Sequence, residues 1–306
     1  MSSTVLRGVA SAAPPHLGHV FTLGNFDGVH LGHRALLRET IALATSLGTR
    51  AAALTFDPAP RDVLRPDNRV PRIHSLERRT AALLDTGLAL VVVLDFTLET
   101  ASWSPDTFVE RVLVPFAPAG IVVGWDFRFG HKRGGDATDL QRLLGVPVHS
   151  VVATTDSDGI VSSSRIRTAI QEGRVRDANA LLGAAHQVDG TVVTGDARGR
   201  TLGFPTANLV PDASLLPADG VYAVTVPIAG KVYVGVAHLG TRPTFAGLAW
   251  RFEVHVLDFD GDLVGQQLSV SFHDRIRGVQ RFDGVDALVA AIRKDIRSAR
   301  ALQLCR

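Results

Sequence analysis

Cysteine is all but missing from this chain of 306 residues. Its single cysteine, Cys305, cannot close an intrachain disulfide or build a cysteine-based zinc cluster, and a place beside the C-terminus supports a nucleophile badly. A reducing cytoplasm is the expected compartment. Excess charge of one sign is lacking too: 32 Lys and Arg against 30 Asp and Glu leave +2, and no basic run interleaves with aromatics, so nothing calls for a nucleic acid or a membrane partner. Long apolar runs are absent. The longest, near residues 88–94, is too short to span a bilayer, and the opening MSSTVLRGVASAAPP has no continuous apolar core of an export signal, which predicts neither anchor nor export. What remains is 46% hydrophobic and 20% charged, ample for packed cores, at a length that suggests about two domains.

The chain is organised around residues 24–33, GNFDGVHLGH, which follow an apolar strand at 20–23 and run into an apolar-periodic helix at 35–47. A strand, a Gly-rich turn and a helix start place free N–H groups and two imidazoles where the helix dipole favours an anion. His30 and His33 are three apart and share a face, and Gly32 leaves room for close approach. The turn lacks the Gly-Lys-Ser/Thr ending of a Walker loop and the GxGxxG of a dinucleotide turn. Zinc fits less well, because no third His or Cys lies nearby at ligand spacing.

Short apolar runs alternate with helical patterns up to residue 182. Strands are predicted at 51–56, 90–96 and 120–123, and helices at 76–84 and 105–114, the last capped by Ser104. That alternation argues a doubly wound α/β domain with ligands at the C-terminal ends of its strands. TFDPAP at 55–60 and GWDFRFG at 124–130 fall at such ends, and VSSSRIR at 161–167 opens a helix that Gly173 closes. Its hydroxyls and arginines either hold phosphates or serve as an N-cap and a solvated face.

Near residues 183–186 helical periodicity gives way to short strands, at 188–193, 221–226, 231–238, 251–257 and 268–272, which predict a small antiparallel barrel. One helix ends the chain, with Val285, Leu288, Val289, Ile292 and Ile296 on a stripe and a capping-box-like start at Asp283 and Asp286. In GRTLGFPTAN, Gly199 and Gly203 permit close approach, Pro205 fixes a turn, and Thr206 and Asn208 offer hard oxygen ligands suited to Mg²⁺. At 251–257, Phe252, Val254 and Val256 point one way, leaving Arg251, Glu253 and His255 on the other face. The later DFDGD at 258–262 lacks the calcium-loop order, and Asp260-Gly261 reads as a hairpin turn.

GNFDGVHLGH resembles the HxGH signature of nucleotidyltransferases, in the form found in the FAD synthetase branch. GRTLGFPTAN, PADGVYA at 217–223, GTRPTF at 240–245 and the Glu253 strand resemble the riboflavin kinase domain. Together they are similar to the prokaryotic bifunctional riboflavin kinase/FAD synthetase family, with an FAD synthetase domain at 1–184 and a kinase domain at 185–306. The resemblance implies phosphorylation of riboflavin to FMN by ATP, then transfer of AMP from a second ATP to FMN with release of pyrophosphate, Mg²⁺ serving both steps. Its small-molecule partners are riboflavin, FMN and ATP, and the oligomeric state stays open.

In the resemblance His30 and His33 steady charge on the α-phosphate, and Gly24, Phe26, Asp27, Gly28, Ser162, Ser163, Ser164 and Arg165 bind ATP and its phosphates. Asp126, Phe127 and Phe129 form a flavin and nucleotide segment. Glu253 is the catalytic base, Gly199, Gly203, Phe204, Pro205, Thr206, Asn208 and Arg242 bind ATP or flavin, and Thr206 with Asn208 holds the metal. The chain departs from the pattern at Ala59, where the family reads TFxPHP, at Ser164, where it has threonine, and at bulky Trp125. Ala59 deletes a phosphate donor. It leaves room for a kinase with a weak or repurposed adenylyltransferase, or for a non-catalytic flavin-binding regulator.

Overall fold

The computed structural model describes residues 4–9, 16–195, 199, 202–244 and 247–304, with the backbone alone over 242–244 and 247–249. Cys305 lies outside the described residues. The chain forms two compact units, residues 1–71 with 76–162 and residues 72–75 with 163–306.

The first unit is built on a parallel sheet of β1 (Thr4–Arg7), β2 (Val20–Leu23), β3 (Ala51–Asp57), β4 (Leu90–Asp95), β5 (Gly120–Gly124) and β6 (Val148–Val151), in the order β1-β4-β3-β2-β5-β6. Its central strands are apolar without alternation because both faces are covered. One face packs Phe21, Leu54, Leu90, Phe108 and Phe116; the other packs Val20, Ala53, Val91, Leu37 and Leu83. Leu37 comes from α1 (Leu31–Ser46) and Leu83 from α3 (Leu76–Leu84), with the short α2 (Pro60–Leu64) between them in sequence. From β2 the chain moves through β3 to β4 on one side and then crosses to β5 on the other, so the switch point lies at the C-terminal end of β2. The helix expected at 105–114 is interrupted: an α turn at Pro105–Phe108 passes into a π turn at Val109–Leu113 and a 3₁₀ turn at Val114–Phe116, where Pro115 supplies no N–H.

A short hairpin of β7 (Thr155–Asp156) and β8 (Gly159–Ile160) stands near the end of the first unit, and the second unit begins with Ser163–Gln171 and Val175–Leu182, two short helices. A closed antiparallel barrel follows, made of β9 (His186–Val193), β10 (Ala207–Pro211), β11 (Gly220–Ile228), β12 (Lys231–Thr244), β13 (Gly247–Val256) and β14 (Gln267–Arg277) in the order β10-β13-β12-β11-β14-β9. Tyr222, Val224, Leu239, Phe252, Val254 and Phe272 fill it. Residues 72–75 belong to this unit: Arg72 bridges to Ser214, the Leu215 N–H donates to the Arg72 carbonyl at 2.7 Å, and the His74 and His186 rings stack at 6.2 Å.

Two expectations are corrected here. Strands β13 and β14 are not neighbours, so Asp260-Gly261 belongs to a crossover and not to a hairpin. The C-terminal helix, Val285–Ala301, starts at Gly284 with no side-chain cap, so Asp283 and Asp286 make no capping box. Its attachment is ionic as well as apolar: Arg277 of β14 donates to both oxygens of buried Asp295 at 2.8–3.1 Å.

Candidate active sites

The turn after β2 sits at the switch point and is strained. Phe26, Gly28 and Val29 take φ of 49°, 87° and 42°, and for a β-branched residue such as Val29 the left-handed region is costly, about 1–3 kcal/mol. Burial holds it there: Phe26 and Val29 are fully enclosed, Asp27 is buried, and the Val29 N–H closes on the Phe26 carbonyl at 3.1 Å. Gly24 is small because the Phe26 ring folds to within 3.1 Å of where its Cβ would stand. Gly32 has a different reason from the one the sequence suggests, since a Cβ there would meet the His30 imidazole at 3.1 Å. The Val161 carbonyl lies 3.6 Å from the same point, which brings the chain just before Ser162 to the turn. Ser163, Ser164 and Arg165 stand at the start of the first helix of the second unit.

The two histidines form one object. His30 is the N-cap of α1, its Nδ1 accepting the His33 N–H at 3.4 Å, and the rings stack with centroids 3.7 Å apart. Phe26 meets His33 edge-on at 5.3 Å. Burial pushes the His33 imidazole well below its ordinary 6.5, and the neighbouring His30 and Arg79 act in the same direction. His33 is therefore neutral near pH 7 and acts by hydrogen bonding. Its buried Nδ1 has no hydrogen-bond partner among the described residues.

Arg79 escaped the sequence analysis. It is 3% exposed and donates to the Asn25 carbonyl and the Phe56 carbonyl, each at 3.0 Å, with the Asp57 carboxylate 4.0 Å away. The signal was present, because Leu76, Arg79, Thr80 and Leu83 lie on the inward stripe of α3, where an arginine is out of place. Ala59 is the N-cap of α2, makes no side-chain cap and is buried. In the flavin segment Asp126 and Trp125 are exposed, while Phe127 stacks on Phe129, which packs on Phe108 in the core.

On the barrel, Glu253 pairs in register with Asn208 of β10 on one side and His238 of β12 on the other. Directly opposed residues share a face, so one row carries an amide, a carboxylate and an imidazole. Ala207, Leu209, Phe252, Val254, Ala237 and Leu239 turn to the barrel core, which leaves Thr206, Asn208, Glu253, His238 and His255 on its outer side. Glu253 is nonetheless only 8% exposed. The loop before β10 reaches this face: the His255 Nδ1–H donates to the Pro205 carbonyl at 2.7 Å and Phe204 meets His255 edge-on at 5.9 Å. The loop is wound tightly on itself, with the Leu202 and Phe204 N–H groups both donating to the Gly199 carbonyl and Gly203 at φ 83°. A side chain at Gly199 would run into the Phe204 carbonyl, and one at Gly195 into the Asn208 amide. His238 is the other residue the sequence did not single out, although it breaks the apolar run of β12. Arg242 lies in register opposite Ala249, and only its backbone is described. Tyr222 of PADGVYA is core: burial, with Asp219 adding, pushes its phenol up to about 12, and its O–H donates to the Ala218 carbonyl.

Among the described residues no cluster of three or more His, Cys, Asp or Glu could hold a metal. Thr206 and Asn208, just before and within β10, carry hard oxygen atoms on the barrel's outer side, the donor chemistry a Mg²⁺ shared with phosphates and water requires.

A strained Gly-rich turn with a stacked histidine pair at the switch point of a parallel sheet, and a carboxylate-bearing closed barrel in a second unit, suit the two halves of a transferase of phosphorus-containing groups. The FAD synthetase family matches residues 13–165 and the riboflavin kinase family residues 182–303. The chain is 39% identical to the bifunctional riboflavin kinase/FMN adenylyltransferase of Pseudomonas fluorescens, over 97% of each chain. It is 37% identical to that of Listeria monocytogenes, over 93% of this chain and 92% of the other. A solved structure named as a macrolide-efflux protein from Streptococcus pneumoniae matches with a TM-score of 0.89 at 35% identity, covering 98% of this chain and 99% of the other. The chain belongs to the bifunctional riboflavin kinase/FMN adenylyltransferase family.

Proposed function

We infer that the chain phosphorylates riboflavin to FMN with ATP and then adenylylates FMN to FAD with a second ATP, releasing pyrophosphate. The observation that carries this reading is the match of both families on one chain, FAD synthetase over residues 13–165 and riboflavin kinase over residues 182–303. We assign adenylyl transfer to residues 1–184 and kinase chemistry to residues 185–306. Efflux gains no support: among the described residues no helix is long and apolar enough to cross a membrane. The cytoplasm is the expected compartment, with riboflavin, FMN and ATP as small-molecule partners and neither nucleic acid nor membrane.

In the kinase step Glu253 takes the proton from the ribityl hydroxyl as its oxygen attacks the γ-phosphorus of ATP, and ADP leaves. A placed base of this kind is worth roughly 10²–10⁴-fold in rate. Its neighbours Asn208 and His238 fix the carboxylate's surroundings from both strands. Thr206 and Asn208 would hold Mg²⁺, which would supply charge neutralisation on the phosphates. In the adenylyl step the FMN phosphate attacks the α-phosphorus and pyrophosphate leaves. His33, neutral, and His30, whose Nδ1 is engaged in the cap, offer N–H donors to the charge that develops, so no covalent enzyme intermediate is needed.

Two variants separate the steps. Glu253→Gln should abolish most FMN formation while supplied FMN is still converted to FAD, and His33→Ala should let FMN accumulate without FAD. One chromatogram of the products from riboflavin, ATP and Mg²⁺ reads both. FMN at the parent rate in the first variant, or an unchanged FAD yield in the second, removes the corresponding assignment.

A further inference from the structure

A buried arginine on an apolar helix stripe needs a reason, because a desolvated guanidinium is costly unless its donors are used. Arg79 uses them on two different segments: Nη1 reaches the carbonyl of Asn25 in the Gly-rich turn, and Nη2 the carbonyl of Phe56 at the end of β3. The Thr55 hydroxyl donates to the same Asn25 carbonyl at 3.2 Å, so that carbonyl is held from two sides. Only a forked, permanently charged side chain reaches two such acceptors at once. We propose that Arg79 is a positioning residue of the adenylyl-transfer site, locking residues 24–33 and 55–60 in one register through these two carbonyls. The proposal rests on the adenylyl-transfer reading of the turn. Both segments leave the C-terminal ends of adjacent strands, β2 and β3, so their relative placement sets where a nucleotide's phosphates meet the histidines. The charge has a second effect, since it stands close enough to oppose protonation of His33.

The test uses the full chain, steady-state conversion of FMN to FAD, and NMR titration of the His33 imidazole, with riboflavin phosphorylation as the folding control. Arg79→Gln removes the charge and the fork; Arg79→Lys keeps the charge and gives up one carbonyl. Expected for Arg79→Gln is a kcat lowered roughly ten- to a hundredfold with little change in KM for ATP, and a His33 midpoint moved slightly up while burial and His30 still hold it below its ordinary value. Arg79→Lys should lose less kcat and leave the His33 midpoint where it was. A parent-like kcat in Arg79→Gln overturns the proposal, and so does a raised KM at constant kcat, which would make Arg79 a binding group. If Arg79→Gln loses kinase activity as well, it has failed to fold, and Arg79→Lys decides: a parent-like kcat there removes the two-carbonyl lock. A parent that makes no FAD sinks the adenylyl-transfer reading instead. Loss of the parent's amide-exchange protection in the Gly-rich turn and at the end of β3 in Arg79→Gln then decides for the two-carbonyl lock, unchanged protection counting against it.

Discussion

Ala59 is the residue at which this chain leaves its family's pattern inside an intact motif, and the structure gives that departure a physical setting. It caps α2 without a side-chain hydrogen bond and is 3% exposed. A histidine there would restore a donor near the phosphates, worth about 1.5–3 kcal/mol when the acceptor is charged. It would also be inserted into filled space, at a cost of about 1–3 kcal/mol in stability. Ala59→His should therefore raise FAD synthesis by up to roughly ten- to a hundredfold and lower the thermal midpoint. Initial rates from FMN and ATP, with a melting curve, check it, and a histidine that slows the parent would show that another group now serves the phosphates. Sequence reading reached His30, His33 and Glu253 because their motifs are contiguous. It missed Arg79 and His238, whose partners come from other strands and which carry no motif of their own.

At the level of elements, the helices with strong periodicity were legible and the short edges were not. The helix at Leu76–Leu84 agrees to the residue, whereas β1 and β6, four residues each at the two edges of the sheet, went unread. Strand β10, Ala207–Pro211, begins in the last two residues of GRTLGFPTAN and was missed because Asn208 read as loop chemistry. The C-terminal helix was found from its stripe, but Val285 is 59% exposed and the buried residues include Asp295, so the stripe was only part of its anchorage. That gives a prediction. Asp295→Asn keeps the shape and removes the carboxylate charge that faces Arg277, whose side chain is 24% exposed. The expected loss is about 2–3 kcal/mol, less than for a wholly buried pair. Denaturant unfolding followed through the kinase activity reads it, and a loss below about 0.5 kcal/mol would place the helix's anchorage in its apolar contacts alone.

For the whole molecule, acid sensitivity follows from buried or half-buried imidazoles in the first unit and a half-buried one in the second. His19 and His33 in the first and His273 in the second are all held below 6.5, burial being the largest cause in each. An unfolded chain takes up these protons as the pH falls through about 6.5, while the folded chain resists until lower pH, so stability is intact above that value and declines below it. Thermal midpoints should drop between about pH 7.5 and about pH 5.5, a range still above the usual carboxylate titration. A level or rising midpoint would contradict the burial of these rings.

The short run 72–75, pinned to Ser214, Leu215 and His186, also bears on how the molecule is made. A ribosome releases that run with the first unit, long before any of its partners exist. It must wait, held by the elements on either side of it, until the barrel's strands have been synthesised, so the second unit is completed by a piece delivered early and kept in reserve.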